Sequence, residues 1–190
     1  MLRISVIVGS VRRNRFAHRP AAWIHRHLAK RADVEAELLD LADYPMPFYE
    51  EPVSPARKQA PYEHAVVEAW TARIGAADGF VIVSPEYNHS FPAVLKNALD
   101  WVYREWTRKP VAFIGYGGMG GVRAVEQLRL VAVELQMAPL RSAVHLPVEI
   151  LIAHRDGEPV EERLAALDAA AVAMLDDLIW WTSALRAARH

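Results

Sequence analysis

The chain has 190 residues, 53% of them hydrophobic and 24% charged, enough apolar material to bury one core as a single domain spanning residues 1–190. Its formal net charge is −1, so no overall basic field points to nucleic acid or to an anionic membrane. The absence of cysteine removes disulfides, thiolate nucleophiles and thiolate-ligated metal or iron–sulfur sites together.

Apolar runs and amphipathic stretches alternate along the chain. Residues 2–8 read as a first strand, and 16–31 as a helix with Trp23, Ile24 and Leu28 on one side. Residues 34–41 alternate apolar with acidic side chains, the pattern of a half-exposed edge strand. Residues 62–77 place Val66, Trp70, Ile74 and Ala77 at helical spacing. There follow strand 79–84, helix 92–104, strand 110–115, helix 121–136 and strand 139–146. A final helix from about residue 160 carries Leu164, Leu167, Ala171, Leu175 and Leu178 on one stripe. Strands that alternate with helices predict a parallel sheet covered on both faces, and five of them suggest the flavodoxin-like order 2-1-3-4-5. The segment 43–61 breaks the pattern. It holds Pro45, Pro47, Pro52, Pro55 and Pro61 and is longer than the roughly 4–6 residues usual for such connections. The apolar run after Met1 is too short for a signal peptide, and no run approaches the ~20 residues needed to span a bilayer, so the expectation is a soluble, cytoplasmic protein.

The most informative segment is SPEYNHSFPAVLKNALDW, residues 84–101, which turns from a buried strand through a polar loop into a helix near Pro92. Ligands of open α/β sheets sit at such carboxyl-terminal strand ends, where an Asn and loop amides held by a proline can read the edge of a planar heterocycle. The segment resembles the SPEYN-x-S-x-P-x-x-LKNALDW signature of the NAD(P)H-dependent FMN reductases, a flavodoxin-like family of quinone, azo-dye and metal-oxyanion reductases. The resemblance implies FMN as cofactor, NADPH or NADH as donor, and a homodimer or homotetramer in which the 43–61 loop lies near flavin and subunit interface. It also implies that Pro85, Glu86, Tyr87 and Asn88 line one side of the ring.

Between the first strand and first helix lies GSVRRNR, residues 9–15. A tight turn, a hydroxyl and two arginines ahead of a helix amino terminus suit a phosphate. Cations at that end of a helix are unfavourable unless an anion relieves them. Gly9, Ser10 and Arg12 match the family's GS-x-R pattern, and Ser10, Arg12 and Arg15 are the expected phosphate residues. Arg15 stands where many relatives have a small hydroxyl residue, and Ala17 where they have Asn.

GYGGMG, residues 115–120, matches the dinucleotide pattern G-x-G-x-x-G, but it follows the fourth strand rather than the first. The acid expected about 20 residues on is also missing, since residues 140–146 contain no carboxylate. The resemblance instead places Tyr116, Gly117 and Gly118 against the flavin, opposite the loop at 85–88. His25 and His27 lie two apart and point to different faces of a helix, so no metal site is expected there. The aromatics Trp101, Tyr103, Trp106, Trp180 and Trp181 read as core or subunit contacts. No catalytic acid or base is expected, because hydride transfer to a flavin needs none. Three alternatives stay open: a flavodoxin-type electron carrier, a dehydrogenase using residues 115–120, and a flavin-free scaffold. A carrier meeting basic partners is expected to be strongly acidic, which a net charge of −1 is not.

Overall fold

A computed structural model describes residues 1–59 and 61–189. The strands are β1 (Leu2–Val8), β2 (Val34–Asp40), β3 (Gly79–Pro85), β4 (Pro110–Tyr116) and β5 (Ala138–Leu146). The helices are α1 (His18–Ala29), α2 (Ala65–Ala76), α3 (Ala93–Asp100), α4 (Val122–Glu134), α5 (Val148–Arg155), α6 (Glu161–Ala165) and α7 (Asp168–Arg189). All strand pairs are parallel and the sheet order is β2-β1-β3-β4-β5, as expected from the alternation of elements.

Side-chain alternation along the strands divides the core into two layers. Ile4, Val6, Val8, Val81, Val83, Ala112 and Ile114 pack with Trp23, Ile24 and Leu28 of α1 and Leu175 and Leu178 of α7. Their neighbours Ile7, Phe80, Ile82, Val111 and Phe113 pack with Trp70 and Ile74 of α2, Leu95 and Leu99 of α3, and Leu128 of α4. β3 and β4 are buried over their whole length, which is why they read as continuous apolar runs.

Several boundaries differ from the expectation. α1 begins at His18, not residue 16, so the arginine loop before it is two residues longer than expected. The predicted helix 92–104 stops at Asp100 and is followed by a single 3₁₀ turn at Arg104–Trp106. The predicted final helix is two helices, α6 and α7, and α5 was not anticipated at all. Eight residues directly after a strand give too few turns for a helical period to stand out. Trp101 and Trp106 are buried as expected, but Trp180 and Trp181 are 64% and 41% exposed, so they are not core residues of this chain. α7 turns only one side to the sheet, and these two rings lie off that side, edge to face at 5.4 Å.

Candidate active site

Three loops meet at the carboxyl-terminal edge of the sheet. In the first, Gly9 N–H donates to Val83 O at 2.8 Å, tying the start of the loop to β3. Ser10 is buried, and its hydroxyl shares a hydrogen bond of 3.0 Å with the Tyr87 hydroxyl. The two arginines behave differently. Arg15 Nη2 donates to Asp40 at the end of β2 at 2.5 Å, with both side chains largely withdrawn from solvent, and His18 approaches the same carboxylate at 3.6 Å. Arg15 Nε is buried without an acceptor. Arg12 is exposed, lies over the Tyr87 ring at 5.5 Å, and has no ion pair among the described residues. The carboxylate partner of Arg15 lies 25 residues on, at the end of the next strand, beyond the reach of a motif. Among the described residues, the backbone N–H groups of Val11, Arg13 and Asn14 also find no protein acceptor.

The second loop follows β3. Tyr87 and Ser90 exchange backbone hydrogen bonds of 2.8 and 3.1 Å, closing a two-residue turn. Asn88 and His89 inside it have φ of 48° and 75°, the double left-handed conformation of a type I′ turn. Asn is among the residues that enter this region at least cost, so the turn holds the exposed Asn88 side chain at the rim. Further along, Asn97 Nδ2 and Trp101 Nε1 both donate to Pro47 O at 2.7 and 2.8 Å, and Asn97 Oδ1 accepts from Tyr49 N–H at 2.9 Å. Tyr49 and Tyr62 set their rings edge-on to Trp101 at 5.0 and 5.7 Å. Two residues of the long signature thus dock the proline-rich segment onto α3, a role not legible in the sequence.

The third loop joins β4 to α4. Glu86 N–H donates to Tyr116 O at 2.8 Å, bringing the second loop against the third. The Glu86 carboxylate accepts from Arg123 N–H at 3.1 Å, from Arg123 Nε at 2.6 Å and from Arg123 Nη2. These bonds outweigh burial and hold the Glu86 carboxyl below the usual carboxylate range, so it stays an ion and moves no proton at neutral pH. The loop turns at Gly121, whose φ is 72°; a Cβ there would stand 2.7 Å from Gly115 Cα, so the α4 start leaves no room for a side chain. Gly118 is the opposite: a Cβ would meet nothing within 4 Å, and its backbone N–H and that of Met119 find no protein acceptor among the described residues. Tyr116 is buried edge-on against Phe16 at 5.2 Å, and burial pushes its phenol well up.

The observation that decides the family is the sequence match over this frame. Residues 2–149 match the profile of the NADPH-dependent FMN reductases. The chain belongs to that family. It is 38% identical over 152 residues to an NAD(P)H-dependent FMN reductase of Schizosaccharomyces pombe, covering 79% of this chain and 76% of the relative. It is 36% identical over 140 residues to a quinone reductase of Escherichia coli K12, covering 70% and 71%. Its fold is similar to that of FerB, a flavoenzyme NAD(P)H:(acceptor) oxidoreductase from Paracoccus denitrificans, with a TM-score of 0.71, 25% identity, and 96% and 98% of the two chains covered.

An FMN reductase of this family is an oxidoreductase that uses FMN with NADPH or NADH. The donor set suits that cofactor: an unpaired arginine, a hydroxyl and free amides at one end, and open backbone at Gly118 at the other. Elsewhere, His25 Nε2 lies 3.2 Å from Ala36 O and His27 Nε2 lies 2.9 Å from Asp168 Oδ1, which ties α1 to the start of α7. Among the described residues no three His, Asp or Glu side chains gather as a metal site, and no helix is long and apolar enough to cross a membrane.

Proposed function

We propose that this reductase passes electrons from NAD(P)H to a small acceptor such as a quinone, an azo compound, a metal oxyanion or free flavin, in two half-reactions at one open face. The convergence of the three loops carries the reading: Ser10 meets Tyr87 and Glu86 meets Tyr116, so phosphate and ring contacts belong to one continuous cradle. In it, Ser10 and Arg12, with the amides of residues 11, 13 and 14, hold the phosphate. Arg15 acts through Asp40, fixing the loop. Pro85, Tyr87 and Asn88 face the ring edge, with Gly117 and Gly118 on the other side and Tyr116 as buried support. Glu86 serves through its backbone and its tie to Arg123. FMN, when bound, supplies the redox chemistry by taking hydride from the nicotinamide and handing two electrons on. The protein orients the partners and contributes no proton donor or acceptor of its own.

If donor and acceptor use the same face in turn, they do not bind together. Initial rates against NADPH at several quinone concentrations then give parallel lines, the ping-pong pattern. Intersecting lines, showing a ternary complex, would overturn the single-face reading. FMN held tightly without bleaching by NADPH would favour the electron carrier.

The reading includes a cytoplasmic enzyme, in keeping with its nicotinamide donor, assembled at least as a homodimer. An open surface crevice gains a wall from a second copy, and the docked stretch around Pro47 and Tyr49 offers one, with Phe48 78% exposed. A monomeric mass by light scattering with FMN present would count against it.

A further inference from the structure

A large apolar cleft adjoins this cradle, on the side away from the proline-rich segment. It has a volume of about 710 Å³, within the ~300–1,000 Å³ range of small-molecule sites. One wall is α5, the helix the sequence did not announce, which contributes Val148, Leu151 and Ile152. Ile152 is 41% exposed and has no partner to cover it among the described residues. The opposite wall is the first loop, with Arg12 and Asn14 above the buried ring of Phe16, and Gly118 closes the end nearest the glycine loop. His154 lies on Phe16 with ring centroids 5.1 Å apart, extending the aromatic floor.

The charged groups lining this cleft are cations. Arg12 and Arg155 stand at its rim, and no carboxylate lines it. Arg155 uses Nε on Asp156 Oδ1 at 2.9 Å, which leaves both terminal nitrogens free to donate. Apolar walls with aromatic side chains at their base accept an aromatic ring, and a guanidinium fork at the rim recognises a carboxylate or sulfonate with two parallel hydrogen bonds. The shared Gly118 makes the cleft continuous with the ring side of the cradle.

We propose that this cleft between the first loop and α5 binds the electron acceptor, that the preferred acceptor is an aromatic compound bearing a carboxylate or sulfonate, and that Arg155 sets this preference. The proposal rests on the reductase reading. α5 lies almost wholly beyond residue 149, where the family match ends, so the family match by itself does not assign the preference. It assigns Arg12 a position between the two ligands, with its phosphate-side role as argued above and its outer edge on the cleft.

The test uses the FMN-loaded full chain with two acceptors that differ in one group, 1,4-naphthoquinone and its 2-sulfonate. Arg155→Gln is expected to raise the ratio of KM for the sulfonate to KM for the uncharged quinone about tenfold, the size of one lost charge-assisted contact. Ile152→Glu, which puts a carboxylate into the apolar wall, shifts the ratio in the same direction. Calorimetric titration with anthraquinone-2-sulfonate, without any nicotinamide, is expected to show the same loss of affinity in Arg155→Gln. An unchanged ratio in both variants, or an effect confined to KM for NADPH and absent with NADH, would overturn the proposal; the second result would assign Arg155 to the donor's phosphate. Wild-type turnover of the uncharged quinone tests the reductase reading separately, and the calorimetric titration reads the cleft whether or not turnover occurs.

Discussion

Arg12→Ala is expected to weaken FMN binding by about 1.5–3 kcal/mol, roughly 10- to 150-fold, while riboflavin loses much less. The difference follows from charge. FMN brings a phosphate whose oxygens need donors, and Arg12, unlike Arg15, has no carboxylate partner among the described residues. Riboflavin lacks the phosphate, so it feels only the loss of shape. Arg15→Ala should behave otherwise. Its guanidinium is spent on Asp40, so removing it loosens the loop and leaves a half-buried carboxylate without its partner, and both ligands weaken together. Fluorescence titration of the two variants with the two flavins reads the whole pattern. Equal weakening of FMN and riboflavin in Arg12→Ala would show that Arg12 supports only the shape of the loop.

The second large effect concerns stability in alkali and arises at the opposite end of the sheet. Lys109 is 7% exposed and donates from Nζ to the carbonyls of Ile74 and Gly75, at 2.8 and 3.0 Å, closing the last turn of α2. Burial pushes its amine down to about 8 from 10.5, with the nearby Arg189 adding to the effect. Between these two values the unfolded chain binds a proton that the folded chain does not, so stability rises with pH across that window, by about 3 kcal/mol at most. Below pH 8 both states are protonated and the cost is fully present. Three tyrosines act in the other sense. Burial raises Tyr49 and Tyr116, and pushes Tyr62 up to about 12, so above pH 10 the unfolded chain loses protons the folded chain keeps and stability falls. The midpoint of urea unfolding should therefore climb from pH 8, peak near pH 10 and then decline. Lys109→Met, although less stable at pH 8 for want of its two hydrogen bonds, should lack the climb. Parallel curves for the two proteins between pH 8 and 10 would rule out Lys109 as its source.

The sequence by itself determined the sheet and the family. β3 and β4 announced themselves because a strand buried on both faces must be apolar at every position, and β2 because an edge strand alternates. The family followed from residues 84–101, where a strand, a turn needing left-handed residues and a helix start are fixed within one short segment. Information of that kind is local, and local chemistry is what a sequence displays directly. The tertiary structure decided which side chains are free. Arg12 and Arg15 look alike in the sequence, and only the parallel pairing of β1 with β2 brings Asp40 to one of them. Glu86 stands in the signature like a reacting acid, yet Arg123 on the next unit holds it as a structural ion. Tyr116 reads as a ring beside a ligand, and only the fold shows that it is buried in a T-shaped pair with Phe16. α5 escaped because eight residues carry too little periodicity, and its meaning lies in what it faces across the cleft. A side chain's availability depends on partners brought together from distant segments, and those partnerships exist only once the chain has folded.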